Sequence, residues 1–357
     1  MQKPQSPPNK ITPSPGLGEW LKRHVVSFAF TSYDSGQLFF VGSSDRGCNV
    51  NFSNWQKPMG LAVSVSGSLA LGTANHIYTL EPETKQTRAD HDAIYIPRVQ
   101  SLTGQCDAHE LAYDKRGDLL FANTRYSCIA ALSDKHHFTP VWKPDFISSL
   151  VSEDRCHLNG LGMRDGEPRF VSLCSMSDSL HGWRGNRVKG GAVFDIQTGK
   201  AVETDCHMPH SPRWHENSLW FLNSGEGWIY NGKSAVAFCP GFLRGLAFHE
   251  NYALTTVSLP REGLFKGLPL QDELERRRGD PWCAVLIVNL DTGAIEEYLR
   301  IEGATKELFD VQIIPFRSPM AISAHDPQLW SFVTFDKPQK DLTIPWNAQG
   351  LRLAGEK

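Results

Sequence analysis

Short apolar runs separated by turn residues dominate the chain. Gln37–Val41, Leu61–Val65, His76–Leu80, Leu119–Asn123, Cys128–Leu132, Ala192–Ile196, Leu219–Leu222, Ala235–Phe238 and Ala284–Leu290 are runs of four to seven residues. They are rich in β-branched and aromatic types, the composition of strands. Gly117-Asp118, Asp195–Gly199, Glu216-Asn217 and Asp291–Gly293 supply turns between them. One stretch departs from this pattern. Leu270–Arg278 carries Glu and Arg at helical spacing and is stopped by Gly279 and Pro281, which predicts a helix.

A repeat organises the strands. Lys57-Pro-Met-Gly-Leu-Ala-Val63, Asp107-Ala-His-Glu-Leu-Ala-Tyr113, His157-Leu-Asn-Gly-Leu-Gly-Met163 and Phe242-Leu-Arg-Gly-Leu-Ala-Phe248 align without gaps. Met208–Trp214 and Glu307–Ile313 fit the same template more loosely. The third positions, 59, 109, 159, 210, 244 and 309, lie 50, 50, 51, 34 and 65 residues apart. The last interval is lengthened by an insertion at about 260–281 that carries the helix. Repeats of about 40–50 residues, each with several short strands, are the signature of propeller blades. The fold class expected is all-β, a six-bladed β-propeller. Three strands precede the first motif and little strand pattern follows the last. Closure should therefore pair N-terminal strands with a C-terminal inner strand and remove a free edge. The propeller is expected as one domain over 17–330. A disordered, Pro-rich lead-in is expected over 1–16, and a C-terminal tail over 331–357.

Composition narrows the function classes. Hydrophobic residues make up 40% and charged residues 21% of the 357-residue chain, enough for one large core. A formal charge of -3 gives no global basic field for nucleic acid or an anionic membrane. No apolar run is long enough to span a bilayer, and the opening residues lack the apolar core of a signal peptide. The 8 cysteines are scattered with no C-x-x-C pair, as expected of reduced thiols in a cytoplasmic protein.

Several stretches resemble a bacterial family of conserved hypothetical β-propeller proteins grouped as a domain of unknown function. They are Asp154-Arg-Cys-His-Leu-Asn-Gly160, Gly182-Trp-Arg184, Pro209-His-Ser-Pro-Arg-Trp214, Pro240–Leu246, Ser258–Glu262, Gly267–Leu270 and Glu307–Val311. The resemblance runs from about Val25 to about Pro319. It implies the fold and marks these loops as typical of the family, but implies no activity.

The aligned motifs begin the innermost strands, so their polar residues should meet at one mouth of the central channel. His109, His157 and His210, with Glu307 and Asp310 opposite, form a candidate ligand set for Zn²⁺, Fe²⁺ or Mn²⁺. The alternative is a polar channel whose residues satisfy one another. Arg244, followed by Gly245, suits a carboxylate or phosphate, or else bridges to Glu307 or Asp310. Glu110 is a candidate proton carrier and Asn159 a substrate contact. Trp183-Arg184, Arg213 and Arg261 are candidate rim contacts, with Trp183 as a mobile cover. Trp214 and Trp220 are read as packing between blades. Gly160-x-Gly162 lies on a strand and is no dinucleotide loop, and Ser211 lacks a nucleophile elbow.

Two functions follow. The first is a metal-dependent enzyme acting on a small anionic or peptide-like substrate, with Arg244 and Glu110 as its catalytic groups. The second is a non-catalytic module for a peptide or protein partner, with Arg276, Arg277 and Arg278 on the inserted helix as its candidate docking surface. Oligomeric state is left open.

Overall fold

The structure, a computed structural model, describes residues 8–88, 90–260 and 267–334. Six antiparallel blades of four strands surround a channel, and two of the blades gain a fifth strand at the outer edge. The innermost strands are Leu61–Val63, Ala108–Tyr113, Leu158–Arg164, Pro209–His215, Phe242–His249 and Val311–Ile314. These are the six repeat motifs, and each strand neighbours the next around a closed ring. The fifth motif position buries Leu61, Leu111, Leu161, Leu246 and Val311 between blades. Each such side chain contributes about 1.5–3 kcal/mol of apolar burial, which explains why the motif keeps a large aliphatic residue there.

The ring closes as the strand pattern predicts. Val311–Ile314 pairs antiparallel with Ser27–Ser32, which continues into Gln37–Ser44 and Gly47–Asn54. The last blade therefore joins the C-terminal inner strand to three N-terminal strands, and Phe30 and Phe39 stack within it at 4.6 Å.

The chain ends differ from expectation. Residues read as part of a disordered lead-in form a strand, Lys10–Pro13, at the outer edge of the fifth blade. A helix, α1 (Leu17–His24), follows it and buries Leu17, Trp20 and Leu21. Those positions, with His24, recur at i, i+3, i+4 and i+7, so one face is apolar. Pro319–Ala321 runs parallel to Ala93–Tyr95 as a fifth strand of the first blade. The expected tail lies outside the described residues from 335 onward.

The inserted helix, α2, spans Pro269–Arg277 and stops where Arg278 adopts a left-handed conformation. Leu268, Leu270 and Leu274 pack with Trp183, Met208 and Phe242, so α2 is seated beside the channel mouth. Arg276 and Arg277 both pair with Glu273, and Arg277 also stacks on Phe238 at 4.3 Å. Two of the three arginines are thus engaged within the chain. Among the described residues no helix is long and apolar enough to cross a membrane.

Candidate active site in the channel mouth

The same backbone turn starts four of the six inner strands. Lys57, Asp107, His157 and Met208, all at the first motif position, have φ of 52°, 49°, 50° and 50°. Left-handed backbone is uncommon for residues other than glycine, so its recurrence at one position is imposed by the architecture. These residues form the rim of a cavity of about 450 Å³. Third-position residues Met59, His109, His210, Arg244 and Phe309 form its wall, and Tyr33, Asp154, Trp183 and Arg184 join from the connecting loops. This is the volume of a small-molecule pocket.

Three imidazoles are held in one tautomer. His109 Nδ1 lies 2.9 Å from the Asp107 carbonyl and His210 Nδ1 lies 2.9 Å from the Met208 carbonyl. A carbonyl only accepts, so both Nδ1 atoms carry the proton and both Nε2 atoms keep a lone pair. His157 Nδ1 meets both Asp154 oxygens, at 3.0 and 3.1 Å, with the same result. Asn159 is buried behind the wall, where its amide donates to His210 Nε2 at 3.3 Å and its oxygen accepts from Ser172.

Asp154, His157 and Trp183 form a fixed unit. Trp183 donates from Nε1 to Asp154 Oδ2 at 2.9 Å and stacks on His157 with ring centroids 4.2 Å apart. It is only 4% exposed, so the expected mobile cover is instead a buried platform. Arg184 stays at the exposed rim, 5.4 Å from the Trp183 ring. An aspartate on Nδ1 orients an imidazole and stabilises the cation formed when Nε2 takes a proton.

Arg244 is the opposite pole. Its guanidinium lies 5.7, 5.2 and 5.1 Å from the rings of Tyr33, Phe242 and Phe309. The Glu307 carboxylate is 3.6 Å away and also accepts from the Tyr33 hydroxyl. Arg244 Nε is buried without a hydrogen-bond partner. Burial pulls its pKa below the ordinary arginine value, against the opposing pull of Glu307. Gly245 does not make room for a ligand. A Cβ there would meet Val311 N at 2.6 Å, so glycine serves the close approach of the neighbouring blade.

Other expected site residues lie one layer deeper. Glu110 and Asp310 occupy the fourth motif position, and adjacent residues of a strand point to opposite sides. Glu110 accepts from Leu161 N at 2.6 Å and from both terminal nitrogens of Arg213 at 3.1 Å, with Ser211 also bonded to it. It is a structural anion here, and Arg213 is its partner rather than a rim contact. Asp310 accepts from Leu61 N and Val311 N, both at 2.8 Å. Arg261 lies outside the described residues.

The expected metal set is not gathered. No three of His109, His157, His210, Glu307 and Asp310 bring ligand atoms within 4.8 Å of one another among the described residues. Asp310 is in the deeper layer, Glu307 faces Arg244 and Tyr33, and Asn159 caps the His210 lone pair. The residues that sequence reasoning missed are Asp154, Tyr33, Lys57 and Phe309. Asp154 had a signal, since Asp154-x-x-His157 places a carboxylate one turn before the imidazole.

Burial also sets the acid stability. His109 is pushed down to about 3, by burial first and then by the neighbouring His157. His210 is held well below its ordinary value by burial and by Arg244. Between pH 6.5 and about 3 the unfolded chain binds protons that folded His109 refuses. Stability from this group is complete above the unfolded pKa and falls with pH, by up to about 1.4 kcal/mol per unit. Asp310, raised to about 7 by burial and by Glu110, opposes this. Its contribution is present below 3.8 and is lost as pH rises through 7. Replacing His109 with Gln is therefore expected to flatten the fall of Tm between about pH 6.5 and 4. An unchanged slope would mean that His109 is not held neutral.

The family model described as a domain of unknown function, DUF4915, matches residues 15–322. The chain belongs to this family. The DUF4915 match includes α1, all six inner strands and every described wall residue of the cavity. No curated protein matches the sequence. The DUF4915 chain is similar to several solved structures at low identity. Virginiamycin B lyase from Staphylococcus aureus is 12% identical with a TM-score of 0.37, over 82% of this chain and 99% of that one. A gluconolactonase from Xanthomonas campestris is 10% identical with a TM-score of 0.42, over 71% and 84%. A protein of unknown function from Bacteroides caccae is 7% identical with a TM-score of 0.40, over 81% and 98%.

Proposed function

We propose that the channel-mouth cavity is an active site for general acid–base chemistry on a small anionic molecule. The observation that carries this reading is the Arg244 guanidinium, set among three aromatic rings on the same cavity wall as the Asp154–His157 pair. A cation lining a cavity favours an anion that reaches it, and a planar fork suits a carboxylate or phosphate. Tyr33, Phe242 and Phe309 exclude water around that charge and strengthen its pull. His157 is oriented to take a proton at Nε2, with Asp154 stabilising the resulting imidazolium and Trp183 holding both. His109, neutral across the physiological range, offers Nε2 as an acceptor for a substrate hydroxyl or water. Two polar ends with an apolar wall of Met59, Met208 and Phe309 suit a compact metabolite rather than a folded partner.

Calorimetric titration with inorganic phosphate, malonate and citrate tests the anion subsite. The wild-type protein is expected to bind at least one of them, and Arg244→Gln to weaken that binding by about tenfold or more. Equal affinity in the variant, or no binding of any probe, would remove the anion-site reading.

A further inference from the structure

A second cluster lies at the far end of the fifth inner strand. His249 closes the strand Phe242–His249, about 20 Å along the chain from the cavity mouth at a strand's usual rise. Glu250 follows in the turn, and His24 arrives from the last residue of α1. One nitrogen from each imidazole and one Glu250 oxygen all lie within 4.8 Å of one another. His24 Nδ1 is 2.8 Å from Glu250 Oε2, and His249 Nε2 is 4.0 Å from Glu250 Oε1.

These contacts do not use the whole cluster. His24 Nε2 and His249 Nε2 are both buried with no hydrogen-bond partner. Trp20 and Tyr252 pack on the His24 ring at 4.4 and 5.3 Å, and the two imidazoles meet edge to face at 5.4 Å. The rings are thus held by aromatic contacts. The carboxylate remains accessible, since the Glu250 side chain is 64% exposed.

We propose that His24, His249 and Glu250 form a zinc site with a fourth position open to water. Two imidazoles and one carboxylate are a common zinc donor set, and neutral imidazole with an exposed carboxylate suits a borderline ion. Bonds of about 2.0–2.2 Å place tetrahedral ligand atoms roughly 3.4 Å apart, so occupancy asks for side-chain movements of about 1 Å. Glu250 is free to supply them. The position gives the ion a structural consequence. α1 packs against Gln37–Ser44 and Gly47–Asn54 of the sixth blade and Ile295–Glu302 of the fifth. Bound zinc would tie α1 to the turn of the fifth blade, across the seam beside which the ring closes. This site is independent of the cavity and of the function proposed for it.

The test uses untagged full-length protein stripped with chelator, then titrated with zinc chloride and, separately, cobalt chloride. We expect one equivalent of zinc to bind and raise Tm by a few degrees, and cobalt to show the strong visible absorption of a four-coordinate ion. His249→Ala and Glu250→Gln should abolish both signals while keeping the Tm of the metal-free wild type within a few degrees. His157→Ala should keep both signals. Zinc without effect on Tm and without stoichiometric binding would overturn the proposal. So would an effect that survives in His249→Ala, or one that is lost only in His157→Ala, since the ion would then belong elsewhere.

Discussion

Replacing His157 with Ala is expected to lower kcat by about 10²–10⁴-fold, the usual contribution of a positioned general base. The substrate would be one traced from the anions that bind, and its affinity should change little. The reason is geometric. His157 Nδ1 is committed to Asp154, and Trp183 fixes both the ring plane and one carboxylate oxygen. Nε2 is left to the cavity, while anion affinity is proposed to reside on Arg244. Asp154→Asn should give a comparable loss, because the amide keeps a hydrogen bond but not the charge that stabilises an imidazolium. Trp183→Phe keeps the stack and removes only the N–H donor, so its effect should be smaller. A His157→Ala variant within a few-fold of wild type would dismiss His157 as the base.

The second large effect concerns stability. Arg213→Met is expected to destabilise the fold by about 3–5 kcal/mol, as urea denaturation would measure it, because it strands a buried carboxylate. Glu110 would keep its bonds from Leu161 N and Ser211 but lose the two-pronged guanidinium. Asp310, whose pKa is already raised by burial and by Glu110, would lose the nearby positive charge of Arg213. The double variant Glu110→Gln, Arg213→Met should recover much of the loss, since breaking a buried pair is worse than replacing it whole. A single-variant effect below about 1 kcal/mol would mean that the pair behaves as an exposed one. Anion binding in the cavity should survive in either variant.

The architecture was legible because blade repeats carry their register in the sequence. One motif placed six inner strands and the unequal ends implied how the ring closes, and both match the structure. α1 escaped notice although Leu17, Trp20, Leu21 and His24 keep helical spacing, because the Pro-rich residues before it read as a lead-in. At the site, the motif brought His109, His210 and Arg244 to one wall and His157 to its rim. It also wrongly gathered Glu110 and Asp310 with them. Strand alternation explains that error, since positions three and four of one motif cannot face the same way. Tyr33, Trp183 and Asp154 come from loops, and their placement depends on tertiary packing that no repeat encodes. Asp154 alone was within reach, through its spacing to His157.

The most direct test of the account is a crystal structure of the protein soaked with the tightest-binding anion of the titration. That anion is expected in the channel mouth, within hydrogen-bonding distance of the Arg244 guanidinium and with its far end toward His157 Nε2. An anion bound elsewhere, with the cavity unchanged and Arg244 still facing only Glu307 and its aromatic ring, would contradict it.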